Sequence, residues 1–327
     1  MKDASAFANA EASLSENQFN LSTVNWKLFL VTMSIIINSQ TRLVVQGITG
    51  TAARYHTQLM IEYGTNIVAG VRPGAGGTEV HSVPVFDTVA DAIAKRKANT
   101  SILFIPAKAM NQAAFEALEA RIKTIVMVSE HIPLHDTMEI IAKAQELSAR
   151  VIGPNTPGLI SPSEQCKVGF VPSAYYMPGS IGVASRSGTL TYEIVSRLTG
   201  AGIGQSTCVG IGGDPIIGTP FSQVLELFQN DAATKAILLI GEIGGTMEED
   251  AAALVEQGKI TKPVIAYLAG RTAPSDKKMG HAGAIIAGGR GTIASKLEAF
   301  KRASIPVAAV PNEVVPLIKK ALTAVVR

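Results

Sequence analysis

"SIGVASRSGTLTYEIVSRL", residues 180–198, changes its period halfway along. The opening "SIGVAS" is short, uncharged and β-branched at Ile181 and Val183, which is the pattern of a buried strand. Past Ser187-Gly188-Thr189 the apolar residues fall at Leu190, Ile194, Val195 and Leu198. They share one helical face, and the helix closes near Gly200. A strand that hands straight over to a helix is the repeating unit of an α/β protein.

The same unit recurs along the chain. A first set of strands reads "RLVVQG" (42–47), "NIVAGV" (66–71), "SILFIP" (101–106), "TIVMVS" (124–129) and "RVIGP" (150–154). A second reads "SIGVAS" (180–185), "STCVGI" (206–211), "AILLIGE" (236–242), "PVIAYLAG" (263–270) and "PVAAVP" (306–311). Near-continuous apolar strands alternating with helices predict two doubly wound parallel sheets with right-handed crossovers. The expected domains are 33–155 and 180–327. The proline-punctuated stretch 156–179, with Pro157, Pro162, Pro172 and Pro178, is expected to link them.

A chain of 327 residues is long enough for two such cores. With a net charge of +3 and no dense Lys/Arg cluster, neither nucleic acid nor an anionic membrane is expected as a partner. Cys166 and Cys208 are too few and too scattered for a disulfide framework or a zinc site, and suit reduced thiols in a cytoplasmic protein. The longest apolar run, "LFLVTMSIII" (28–37), is shorter than the ~20 residues a bilayer span needs. Residues 1–32, rich in Asn, Ser and Ala without periodicity, are expected to be a disordered leader or the product of an upstream start codon. Met33 is a plausible start.

In a doubly wound sheet, ligands bind outside the carboxyl ends of the strands, so those loops carry the chemistry. After the first strand comes "GITGTAARYH", with the spacing G-x-x-G-x-x-A rather than the G-x-G-x-x-G dinucleotide fingerprint. It suits either a phosphate turn or a plain tight turn. The second strand ends in "GVRPGAGG", with Arg72 where an NAD enzyme places a carboxylate. Arg72 favours an extra phosphate, as on NADP or coenzyme A, or is simply an exposed arginine before a turn.

In the second domain three loops converge on one sheet edge. Ser187-Gly188-Thr189 opens a helix whose free amides suit a phosphate, although an ordinary serine cap reads the same way. Glu242 ends the third strand among small residues, and the fourth strand leads into the loop of His281. Together they fit one arrangement. Glu242 accepts a hydrogen bond from one imidazole nitrogen of His281, and the other nitrogen is a nucleophile for a phosphoryl group held at Ser187–Thr189.

"YGTNIVAGVRPGAGGT", "IGPNTPG", "SRSGTLTYE", "GQSTCVGIGGDPI", "IGEIGG", "TKPVIAYLAGRTAP" and "MGHAGAIIAGG" closely resemble the α subunits of succinyl-CoA synthetase (succinate–CoA ligase), from about Met33 to the end. The resemblance implies an N-terminal Rossmann-like CoA-binding domain and a C-terminal flavodoxin-like ligase domain. It also implies a β-subunit partner whose ATP-grasp domain binds Mg²⁺ and ATP or GTP. His281 then matches the phosphorylated histidine and Glu242 its carboxylate. Ser187, Gly188 and Thr189 match the phosphate-holding helix start, and Tyr192 a position near the succinate carboxylate. CoA contacts fall on Thr49, Gly50, Thr51, Ala52, Arg72, Pro106, Ser129, Glu130 and His131, and on the position of Ala75.

The chain departs from the family at several points. "PGAGG" stands for the usual "PGKGG", so Ala75 removes a lysine expected at a CoA phosphate. "TGTAARYH" stands for "TGSQGTFH", and Thr156 replaces a common cysteine. A sister ligase acting on malate or another small acid, a CoA-binding paralogue with weakened catalysis, and an NADP oxidoreductase motivated by Arg72 are the competing readings.

Overall fold

Strand β1 (Leu43–Gln46) is buried along its whole length and lies at the centre of a seven-stranded sheet. Its neighbours are β2 (Ile67–Val71) and, on the other side, β5 (Thr100–Leu103), with Leu43 opposite both Ile67 and Thr100. With β3 (Glu79–Val80), β4 (Val83–Phe86), β6 (Thr124–Met127) and β7 (Arg150–Ile152), the order is β3-β4-β2-β1-β5-β6-β7. All pairs are parallel except β3–β4. Helices α1 (Thr51–Tyr63), α2 (Val89–Arg96), α3 (Met110–Glu119) and α4 (Leu134–Glu146) supply the crossovers. The order reverses between β1 and β5, which opens a crevice at their carboxyl ends. The computed structural model describes residues 34–270, 281–284 and 291–325, and the expected leader, 1–32, lies outside the described residues.

The second sheet has the order β14-β13-β12-β10-β11-β8-β9. Its strands are β8 (Gly158–Ser161), β9 (Cys166–Gly169), β10 (Pro178–Ser185), β11 (Gln205–Gly210), β12 (Ala236–Glu242), β13 (Val264–Ala269) and β14 (Val307–Ala308). Around it are α5 (Gly188–Gly200), α6 (Phe221–Asn230), α7 (Met247–Glu256), α8 (Ile293–Arg302) and α9 (Val314–Val325). The parallel core β11-β10-β12-β13-β14 has the flavodoxin-like order, with its switch point between β10 and β12. Two α/β units, each built on a mostly parallel sheet, agree with the expected fold class.

The expected linker is a structural element. Residues 158–169 form β8 and β9, an antiparallel pair on the edge of the second sheet, with Ile160 opposite Cys208 of β11. Their prolines sit where a strand tolerates them: Pro162 in the turn between the strands and Pro178 as the first residue of β10. Gly158 and Gly169 pair so closely that a Cβ on Gly158 would stand 2.0 Å from the Val168 carbonyl oxygen. The β3–β4 hairpin also differs from expectation. Its two-residue turn places His81 and Ser82 at φ 52° and 61°, without the Asn-Gly or Asp-Gly signal such turns usually carry.

β8 and β9 also join the two halves. The Thr65 hydroxyl, just past α1, donates to the Lys167 carbonyl at 2.8 Å and accepts from the Lys167 amide at 2.9 Å. Ser34 Oγ lies 2.9 Å from Thr207 Oγ1 of β11. One apolar cluster runs across this seam through Ile35, Ile37, Met60, Leu159, Val168 and Val209. Met33–Arg327 is accordingly one compact unit.

Candidate active site

β12 brings Glu242 to the carboxyl edge of the second sheet, where it is 7% exposed. His281 Nδ1 lies 2.9 Å from each of its carboxylate oxygens. An ionised carboxylate only accepts, so Nδ1 carries the hydrogen and donates, and the neutral ring keeps its lone pair on Nε2. The ring packs over Gly213 of the loop after β11. A Cβ there would stand 2.7 Å from the imidazole Cγ, so only glycine fits beneath it. The Gly283 amide donates to the Gly213 carbonyl at 2.9 Å and ties the His281 loop to the same place.

The hydrogen bond with Glu242 raises the His281 pKa above its ordinary 6.5. Burial and the Arg186 guanidinium oppose it, and Asp214 reinforces it. A raised histidine pKa stabilises the fold most below the unfolded value, and that contribution fades as pH rises through the folded value. Glu242→Gln is therefore expected to lower the His281 titration midpoint, read by NMR of the ring, and to shrink the stability lost on raising the pH above 6.5. An unmoved midpoint would remove Glu242 as the partner that tunes the ring.

Behind the carboxylate runs a buried chain of charges that sequence reasoning missed. Arg186, 1% exposed, sets Nε 3.4 Å from Glu242 Oε1, close enough for an ion pair but too poorly aligned for a hydrogen bond. Its Nη1 donates to the Gly244 carbonyl at 2.9 Å and to Glu248 Oε1 at 3.2 Å. Glu248 Oε1 also accepts from the Glu242 amide at 3.1 Å. Lys296 of α8 donates to Glu248 Oε2 at 2.6 Å and to Glu249 Oε2 at 2.8 Å. The signs alternate from Glu242 to Glu249, three carboxylates against two cations, so a positive imidazole at the open end balances the row. A row of this kind fixes Glu242 by charge as well as by packing.

Ser187 caps α5. Its hydroxyl accepts from the Leu190 amide at 3.4 Å, and its own amide donates to Ser185 Oγ at 3.1 Å. Among the described residues the amides left for an anion at this helix start are those of Gly188 and Thr189. Among the described residues no hydrogen bond joins Ser187, Gly188 or Thr189 to His281. They reach it through Arg186, the residue before the cap, and Glu242. Tyr192, one helical turn on, points its hydroxyl at Gly188: a Cβ on Gly188 would lie 3.5 Å from it. That hydroxyl is buried and has no hydrogen-bond partner among the described residues, and burial pushes its pKa up to about 12. At neutral pH it is a donor waiting for an acceptor.

The CoA expectations distribute over two hollows in the crevice of the first sheet. A cavity of about 580 Å³ is lined by Ala52, Ser129 and Glu130, and also by Asn155, His56 and Phe170. Arg72 lines a smaller one of about 180 Å³ beside Gly47 and Pro73. Thr49, Gly50 and Thr51 form the turn into α1, where Gly50 is the cap residue. Pro106 opens the turn after β5, and His131 lies 3.4 Å from Glu130 on an exposed loop. Ala75 sits in a loop whose neighbouring Gly74 and Gly76 amides donate to Asp87 Oδ1 at 2.7 and 3.0 Å. Those two amides are therefore satisfied from within. The His56 ring stacks on Phe104 at 5.9 Å, giving the larger cavity an aromatic wall. His56 lies inside the quoted "TAARYH", but its spacing carried no mark of a cavity residue.

The chain matches the CoA binding domain family over residues 38–131 and the CoA-ligase family over 184–305. Succinate–CoA ligase [ADP-forming] subunit alpha 2 of Archaeoglobus fulgidus is 51% identical over 290 residues, covering 89% of this chain and all of the relative. The corresponding alpha subunit of Methanothermobacter thermautotrophicus is 50% identical, covering 88% of this chain and 97% of the relative. Among solved structures, ATP citrate lyase from Methanothrix soehngenii in complex with citrate and coenzyme A shares the fold at a TM-score of 0.78 and 24% identity. That match covers 89% of this chain, which spans about half (51%) of the lyase.

Proposed function

The chain belongs to the family of succinate–CoA ligase α subunits, and from that premise we propose that it forms succinyl-CoA reversibly through a phosphoryl group carried on His281. The observation that carries this reading is the His281–Glu242 pair, bonded at 2.9 Å through Nδ1. It leaves Nε2 as the nucleophile and places a negative charge behind the ring as positive charge develops on it.

In this reading His281 Nε2 takes the γ-phosphoryl group of ATP or GTP and passes it to a succinate carboxylate oxygen. The CoA thiol then displaces phosphate from the resulting acyl phosphate. Gly188 and Thr189 hold the phosphoryl oxygens by their amides, and the unpartnered Tyr192 hydroxyl donates to the succinate carboxylate. Thr49–Ala52, Arg72, Pro106 and Ser129–His131 hold CoA across the first crevice, with Ala75 beside its phosphates. The nucleotide and Mg²⁺ belong mainly to a β subunit of ATP-grasp type, without which no phosphoryl donor reaches His281. No helix among the described residues is long and apolar enough to cross a membrane. Cys166 and Cys208 are both buried and unpaired, which suits the cytoplasm, where we place the enzyme.

The deciding experiment is co-expression with the β subunit, incubation with γ-labelled ATP or GTP, and mapping of the label. An acid-labile, base-stable label on His281, discharged by succinate plus CoA, is expected. Label on any other residue would sink the reading, and a panel of small acids in the discharge step separates succinate from malate.

The alanine in the CoA loop has its own expected effect. Ala75→Lys is expected to tighten CoA binding about tenfold by calorimetry, the low end for a charged phosphate contact, because Asp87 sits at the same loop and competes for the new ammonium. An unchanged affinity would show that Arg72 already meets that phosphate or that the phosphate lies elsewhere.

A further inference from the structure

Asp214 stands where the two halves of the site meet, and the steps above make no use of it. It follows β11 in "GIGGDP" and is 5% exposed. Its Oδ1 accepts a hydrogen bond from Asn155 Nδ2 at 3.0 Å, while Oδ2 makes none among the described residues. Asn155 lines the cavity of about 580 Å³ together with Ser129 and Glu130, the wall assigned above to CoA. On the other side, the preceding residue, Gly213, is the floor beneath the His281 ring. A carboxyl group is thus held between the chamber that suits CoA and the imidazole that carries the phosphoryl group.

Thioester formation needs a base at this place. An alkyl thiol ionises near pH ~8.5, so at neutral pH only a small fraction is the thiolate that attacks. We propose that Asp214 accepts the proton of the CoA thiol as its sulfur attacks the acyl phosphate, a role that rests on the ligase reading above. The proton passes from sulfur to a carboxylate oxygen of Asp214 while the sulfur–carbon bond forms. The carbon–oxygen bond to phosphate then breaks, and the departing phosphate takes the proton from Asp214, which returns to its starting state.

The surroundings match the task. Burial holds the Asp214 carboxyl above the usual carboxylate range. The Asn155 hydrogen bond and the imidazoles of His131 and His281 oppose that rise, and Glu130 adds to it. Arg186 lies close by: its Nη2, without a hydrogen-bond partner among the described residues, and the Asp214 carbonyl carbon would lie 2.8 and 3.0 Å from a Cβ on Gly283. A carboxylate raised toward neutrality is a better proton acceptor than a free aspartate.

The test uses the full chain with its β subunit, phosphorylated from labelled nucleotide and then mixed rapidly with succinate and either CoA or selenocoenzyme A. A selenol is already ionised at neutral pH and needs no base. Asp214→Asn is expected to label at His281 as the parent does, to form the thioester about 10²- to 10⁴-fold more slowly, and to recover to within about tenfold with the selenol. An undiminished thioester rate, or an equal loss with thiol and selenol, would overturn the proposal. Should the variant fail to label, the parent decides: its thioester rate with CoA should climb with pH through one ionisation lying below the thiol's own, and that limb should vanish with the selenol, whereas a climb that follows only the thiol's own ionisation overturns the role. A limb that persists overturns the role. Absence of label on the parent His281 would instead overturn the ligase reading itself.

Discussion

His281→Asn is expected to abolish the labelled phosphoenzyme and to lower succinyl-CoA formation by at least ~10⁴-fold, the scale seen when a covalent nucleophile is removed. Asparagine can still donate to Glu242, so the hydrogen bond now made at 2.9 Å survives in kind. What disappears is the second ring nitrogen, and neither cysteine can replace it: both are buried, and burial pushes Cys166 up to about 11 and Cys208 well above the ordinary thiol range. Because the His281 side chain is 31% exposed and lies on a loop, the thermal midpoint should scarcely move. Rapid-quench labelling and calorimetry on one preparation separate lost chemistry from lost fold. Labelling at the parental level would refute the phosphohistidine reading.

Arg186→Met is expected to produce the largest loss of stability, about 3–5 kcal/mol, because it leaves Glu242 and Glu248 buried without the cation between them. For a chain of this size that is a fall of roughly 5–8 °C in the thermal midpoint. Arg186→Lys should not rescue it, since one ammonium cannot serve the Gly244 carbonyl and two carboxylates with the geometry of a planar fork. Adding Glu248→Gln, which keeps that residue's acceptor and removes its charge, should return part of the loss. The double variant is then less damaged than two independent losses predict. If Arg186→Met costs under about 1 kcal/mol, the row of charges is packing filler rather than the support of Glu242.

How much was legible depended on how local the signal was. All ten expected strands are present, because parallel strands covered on both faces are apolar along their length and need no partner to be recognised. β8–β9 and β3–β4 escaped because a hairpin is a pairing between short segments. Proline in one case and positive φ at His81 and Ser82 in the other hid the usual turn signals. At the site, Glu242 and His281 could be placed together because both follow neighbouring strands of one sheet. Arg186, Glu248 and Lys296 could not: Arg186 reads as part of a helix-start motif, Glu248 as first-turn acid and Lys296 as surface charge. Their burial is set by how α7 and α8 lie against the sheet, which no single stretch of sequence records.

The hydroxyl of Thr65 and the backbone of β9, clasped at 2.8 and 2.9 Å, have a consequence for dissecting the molecule. A cut at the border expected from the sequence, after residue 155, would not yield two free-standing modules. The front fragment would keep Met60 and Thr65 with their covering stripped away, and the rear fragment would lack the Ser34–Ile37 segment that plugs β11. Separately produced halves should be poorly soluble alone and recover activity only when refolded together, so this chain lends itself to fragment complementation rather than to domain transplantation.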